Sequence, residues 1–104
     1  MSEAIAYIND QYVPASEAKV SILEPTFTKS DVVYDTISAT DRSIFRLEDH
    51  LDRFENSCKV MQITPPYTRS ELSTIIANCI DRTGLDDTCT TIMGTRGPYK
   101  DISS

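Results

Sequence analysis

Ser43-Ile44-Phe45-Arg46-Leu47-Glu48-Asp49-His50-Leu51-Asp52-Arg53-Phe54-Glu55 reads as a short strand that runs straight into a helix. Ser43 to Arg46 is the extended piece, and from Leu47 onward the apolar period lengthens. Leu47, Leu51, Phe54, Cys58 and Met61 fall at i, i+4, i+7, i+11 and i+14. That is one apolar stripe on a helix running from about Leu47 to Gln62. Pro65 and Pro66 prevent its continuation. His50 and Arg53 stand three apart near the helix start, so they share a side. Arginine is always charged, and its planar fork of donors matches phosphate. Spacing alone leaves two readings open, a solvated face of an amphipathic helix or an anion site.

Working toward the N-terminus, Val32 to Ser38 is rich in β-branched and aromatic residues and predicts a strand. Thr40-Asp41-Arg42 turns it into the return at Ser43. Further upstream, Ala4 to Ile8 alternate, Asn9-Asp10 forms a turn, and Tyr12-Val13 pair back as a hairpin. Pro14 ends that strand because it has no N–H for a ladder. Lys19 to Leu23 predicts a second short extended piece, and Glu24 to Ser30 a loop.

Working toward the C-terminus, Thr68-Arg69-Ser70-Glu71 fits a helix capping box. Leu72, Ile75, Ile76, Cys79 and Ile80 form that helix's buried face, and Gly84 is placed to stop it. Thr88 to Thr95 predicts a final strand, broken by Gly97-Pro98. The order is strands, two helices, strand. The expected fold class is α+β, an antiparallel sheet with both helices packed on one face.

The chain has 104 residues, 39% hydrophobic and 25% charged, so one small domain spanning 1–104 with an ordinary core is expected. Its net charge of −6 argues against non-specific nucleic-acid binding, which depends on Lys and Arg. No apolar run approaches the roughly 20 residues of a membrane helix. Met1-Ser2-Glu3 begins no signal peptide, which makes a cytoplasmic location the default expectation. Cys58, Cys79 and Cys89 are widely spaced, with no CxxC pair, and His50 is the sole histidine. Buried or half-buried free thiols are expected, and no metal site.

Several segments occur together in a telling order: Tyr7 to Pro14, Ser16 to Ser21, Ser30-Asp31-Val32-Val33-Tyr34-Asp35-Thr36, Phe45 to Arg53, Ile63 to Thr68, and Thr95-Arg96-Gly97. In this order and at these distances they resemble the N-terminal domain of the fold-type IV pyridoxal-phosphate aminotransferases. The resemblance covers Ala4 to Gly97. Ser30-Asp31-Val32 with Tyr34, and the Pro65-Pro66 pair, look most like the (R)-amine transaminase branch, with the D-amino-acid aminotransferases close behind.

The resemblance implies roles. His50 and Arg53 match the family's His-x-x-Arg motif, whose arginine binds the phosphate of pyridoxal 5′-phosphate; His50 would support the helix start by a hydrogen bond. Tyr34, Val32 and Lys29 would belong to the substrate pocket, Val32 replacing a common glycine. Asp35 stands where many members carry glutamate and faces the other way. Lys29 departs from the usual tyrosine, glutamine or histidine, and its alternative is a solvated loop charge. Glu24-Pro25-Thr26 also departs from the family pattern and loses a glycine's backbone freedom. Arg96 would be structural, and only Lys100 occupies the loop where relatives bind carboxylates with arginine.

Neither Lys19, Lys29, Lys59 nor Lys100 matches the lysine that carries the cofactor as a Schiff base, which in this family lies on the second, larger domain. The resemblance therefore implies the first part of a homodimeric enzyme moving an amino group between an amine or amino acid and a keto acid, inactive as an isolated chain. Two rivals keep the fold: a stand-alone, non-catalytic interaction module, and part of an aminodeoxychorismate lyase.

Overall fold

Two two-residue turns shape the sheets of this protein, whose computed structural model describes residues 4–23 and 32–95. Asn9 and Asp10 both have positive φ, 51° and 63°, and join β1 (Ile5–Ile8) to β2 (Gln11–Pro14). Asp41 and Arg42 do the same, at 50° and 63°, between β3 (Val32–Thr40) and β4 (Ser43–Ile44). Positive φ at both central residues is the type I′ geometry, whose twist matches that of paired strands. Asn and Asp tolerate it; Arg42 does not by itself. Its N–H donates to the Asp86 carbonyl at 2.7 Å and its guanidinium pairs with Asp81 at 3.3 Å. Tertiary contacts thus hold a residue that local preference disfavours.

After β4, Phe45 still donates its N–H to the Ser38 carbonyl at 3.0 Å, Arg46 turns the chain, and α1 spans Leu47–Met61. A short connection leads to α2 (Arg69–Thr83), and β5 (Thr88–Thr95) closes the fold. The strands form two antiparallel sheets: β1 with β2, and a three-stranded sheet in the order β4-β3-β5. The single sheet expected from sequence is therefore divided, and the N-terminal hairpin packs beside α2. There Tyr7 meets Tyr12 edge-on at 4.8 Å and Tyr67 at 5.7 Å, while Asn78 donates to the Tyr12 hydroxyl at 3.0 Å.

The helix ends follow the signals in the chain. The Thr68 hydroxyl accepts from the Glu71 N–H at 3.2 Å, and the Thr68 N–H donates to Glu71 Oε1 at 2.8 Å, a complete capping box. At the end of α1, Gln62 sits at φ 57° and donates to the Lys59 carbonyl at 3.1 Å. Ile63 donates to the Cys58 carbonyl at 2.8 Å, which completes a Schellman motif without glycine. Gly84, at φ 72°, caps α2.

Alternation along β3 decides what each face does. Val33, Asp35, Ile37 and Ala39 point inward and are buried, while Tyr34, Thr36, Ser38 and Thr40 point outward and are exposed. Two clusters build the core beneath the helices. One joins Ile37, Ala39, Leu51, Ile76 and Ile80; the other joins Val33, Phe54, Cys58 and Ile63. Opposite Val33 in β5 stands Gly94. A Cβ there would lie 3.1 Å from Val33 Cγ2 and 3.2 Å from Phe54 Cζ, so the absent side chain lets Phe54 lie close on the sheet.

Three expectations need correction. Lys19 to Leu23 forms no strand: residues 18–21 are irregular and Ile22-Leu23 turn, after a 3-10 turn at Ala15–Glu17. Among the described residues no strand pairs with this segment, and extended propensity alone does not make a ladder. The return strand ends at Ile44 rather than Arg46, because Arg46 is left-handed, at φ 54°. Cys89 is exposed, unlike buried Cys58 and Cys79, whose thiols burial pushes above the ordinary range. Among the described residues, no helix is long and apolar enough to cross a membrane.

Candidate functional site

Asp35 is the odd member of the inward register of β3, a carboxylate among Val33, Ile37 and Ala39. An isolated carboxylate in such a place is costly, and it needs partners. Helix α1 supplies them. Arg53 Nε donates to Asp35 Oδ2 at 3.0 Å, and Arg53 Nη2 donates to Asp35 Oδ1 at 2.8 Å, a bidentate fork. His50 Nδ1 lies 3.3 Å from Asp35 Oδ1 and 3.2 Å from Arg53 Nη2. The nitrogen can donate to the carboxylate or accept from the guanidinium, according to the ring's tautomer. The Arg53 fork, above all, holds the Asp35 carboxyl below its ordinary range; burial opposes this, and His50 reinforces it. Asp35 correspondingly raises the Arg53 guanidinium above its own.

The three side chains differ in exposure. Asp35 is 7% exposed and His50 18%, whereas Arg53 keeps 66% of its side chain in solvent. One guanidinium edge is thus anchored, while Nη1 has no hydrogen-bond partner among the described residues. Arg53 lines an open cleft of about 600 Å³ together with Val32, Asn56, Ser57, Val60 and Met61. Asp49 and Asp52 also line it, but each carboxylate is paired. Asp49 meets Arg46 at 2.6 Å, and Asp52 meets Arg69 at 2.8 Å. Their repulsion toward an anion in the cleft is correspondingly reduced.

The structure places the other sequence-derived residues separately. Val32 shares the cleft with Arg53. Tyr34, 68% exposed, stands on the open face of the sheet opposite the helices, paired in register with Met93, itself 58% exposed. Lys29, Glu24-Pro25-Thr26, Arg96 and Lys100 lie outside the described residues. The His50 side chain joins the Asp35–Arg53 pair. Asp35 was given no site role by its sequence context. The available signal was its position: it occupies the buried register of a strand, where a carboxylate demands a cation.

Against this geometry, the family model described as Amino-transferase class IV matches residues 32–103. The chain belongs to the class IV aminotransferase family. A putative branched-chain-amino-acid aminotransferase of Methanocaldococcus jannaschii is 31% identical over 91 residues, which is 88% of this chain and 32% of that protein. A D-alanine aminotransferase of Staphylococcus haemolyticus is 29% identical over 91 residues, covering the same shares. Among solved structures, a T.th. branched-chain amino acid aminotransferase complexed with N-(5′-phosphopyridoxyl)-L-glutamate superposes with a TM-score of 0.85. Its identity is 29%, over 95% of this chain and 34% of that one. The branched-chain aminotransferase of the archaeon Thermoproteus uzoniensis, with norvaline, gives 0.83 at 26% identity, over 98% and 36%. The chain spans about a third of the length of each of these four proteins. These likenesses accord with the α+β class expected for the N-terminal domain of class IV aminotransferases.

Proposed function

We propose that residues 1–104 form the N-terminal, cofactor-phosphate-side domain of a pyridoxal-phosphate-dependent aminotransferase. It moves an amino group between an amine or amino acid and a keto acid. The observation that carries this reading is the half-anchored Arg53: an exposed guanidinium, fixed along one edge, with Nη1 available at a cleft. A phosphate dianion matches such a donor in charge and geometry. Pairing of Asp49 and Asp52 with Arg46 and Arg69 makes the cleft compatible with that charge. When bound, the cofactor supplies the electron sink for amino-group transfer.

This chain's residues then have limited, definite tasks. Arg53 grips the phosphate and excludes competing water from that end. Val32 shapes the adjoining wall. Tyr34, with Lys29, serves the substrate side, where a phenol hydroxyl can donate to a carboxylate. The lysine that carries the cofactor comes from outside these residues, in a larger second domain, and the working enzyme is a cytoplasmic homodimer. By itself the chain does not catalyse transamination.

Equilibrium binding tests the reading. Pyridoxamine 5′-phosphate has no aldehyde and so forms no adduct with surface lysines. Arg53→Ala is expected to weaken its binding to the chain by roughly ten- to hundredfold, the loss of a charge-assisted contact. Equal affinity in variant and parent refutes the assignment. A second measurement addresses catalysis: after treatment with pyridoxal phosphate, borohydride and dialysis, the chain should carry only trace label spread over several lysines. Stoichiometric labelling of one lysine would show that this chain holds the catalytic lysine after all.

A further inference from the structure

We infer that Asp35 is the positioning residue of this site, an inference that rests on the phosphate reading of Arg53. Asp35 fixes the guanidinium plane so that Nη1 is presented to the phosphate while Nε and Nη2 stay on the carboxylate. The geometry divides the five donors of the guanidinium in this way. Nε and Nη2 are committed at 3.0 and 2.8 Å to a carboxylate that is itself 7% exposed. That carboxylate sits on β3, which pairs with β5 continuously from Val32 to Ala39 and registers Asp35 opposite Ile92. The anchor is therefore as rigid as the sheet. Arg53, by contrast, is a long side chain projecting from a helix surface, and without the anchor its head samples many rotamers. His50, 18% exposed and within 3.3 Å of both partners, closes the triangle on its inner side.

Charge and position make opposite forecasts, which lets the inference be tested. By charge alone, Asp35 is a liability. A carboxylate on the same guanidinium repels a phosphate dianion, so Asp35→Asn should tighten phosphate binding. If Asp35 merely occupies the fork until phosphate arrives, phosphate displaces it. If Asp35 positions Arg53, the variant must immobilise the side chain on binding, which corresponds to roughly two- to tenfold weaker affinity. The carboxylate then stays in place throughout.

The experiment is a pyridoxamine 5′-phosphate titration of the chain followed by nitrogen-15 NMR of the arginine side chains, with inorganic phosphate as a second probe. In the parent, the Arg53 Nε–H resonance is expected to keep its position, while Nη1 responds. Asp35→Asn should bind more weakly despite the removed repulsion, and Asp35→Glu should recover part of the loss. Tighter or equal binding by Asp35→Asn overturns the inference, as does an Nε–H resonance that shifts toward solvent values as the ligand binds. The second criterion needs no variant and holds even if Asp35→Asn fails to fold. Unchanged binding by Arg53→Ala is a separate result: it removes the phosphate reading itself and the inference with it.

Discussion

Replacing Asp35 by asparagine isolates one charge in a structured setting, and its effect on stability can be worked out from the contacts. The side chain is 7% exposed and accepts two bonds from Arg53 at 2.8 and 3.0 Å, with His50 Nδ1 at 3.3 Å. Asparagine keeps one carbonyl acceptor, so one arm of the fork survives and the other faces an amide nitrogen. A hydrogen bond to a charged group contributes about 1.5–3 kcal/mol net. Arg53 is largely in water, which screens the pair and favours the lower end. The expected loss at pH 7 is about 1–2 kcal/mol, or about 4–16 °C in Tm for a domain of this size. The sign with pH follows from the lowered folded-state pKa of Asp35. Such a group stabilises the fold fully above its unfolded value, 3.8, and loses that contribution as pH falls through the folded value. Urea unfolding of parent and variant from pH 7 downward should therefore show a gap that is constant above about pH 5 and closes below 3.8. A variant as stable as the parent at pH 7 would refute the argument. So would a gap that persists undiminished once the carboxyl is protonated.

Tyr34→Phe should leave the chain's unfolding free energy within about 0.5 kcal/mol of the parent, because the residue is 68% exposed on the open sheet face. In the full enzyme the same change should lower kcat/KM for the amino substrate with cofactor affinity unchanged, and unaltered kinetics would remove Tyr34 from the substrate side. Gly94→Ala should destabilise by about 1–3 kcal/mol, because its Cβ meets Val33 and Phe54 at 3.1 and 3.2 Å. A denaturant midpoint equal to the parent's would mean that the strand and Phe54 separate freely.

Local chemistry explains which parts of the fold were legible. The capping box at Thr68 and Glu71, the apolar stripes of both helices and the Asn9-Asp10 turn each act within a few residues, and each appears in the structure. The stop at Ile44 was not legible, because a left-handed Arg46 is not a preference that sequence advertises. The Lys19 to Leu23 segment misled for the opposite reason: its strand-like composition has no pairing strand among the described residues. At the site, the His50 and Arg53 motif was visible from its spacing. The pairing of Arg53 with Asp35 spans 18 residues and depends on which face of β3 meets α1. Only the interruption of an apolar alternation by Asp35 hinted at it.

That alternation makes β3 a parity device. Asp35 serves the helix side and Tyr34 the open side, and only one peptide unit separates them. An insertion or deletion of one residue between Asp35 and the Asp41-Arg42 turn reverses the assignment, turning the carboxylate outward and the phenol toward the core. A change of two residues preserves the sides but carries Asp35 about 6.6 Å along the strand, beyond the reach of the Arg53 fork. The strand therefore accepts substitution more readily than a change in its length.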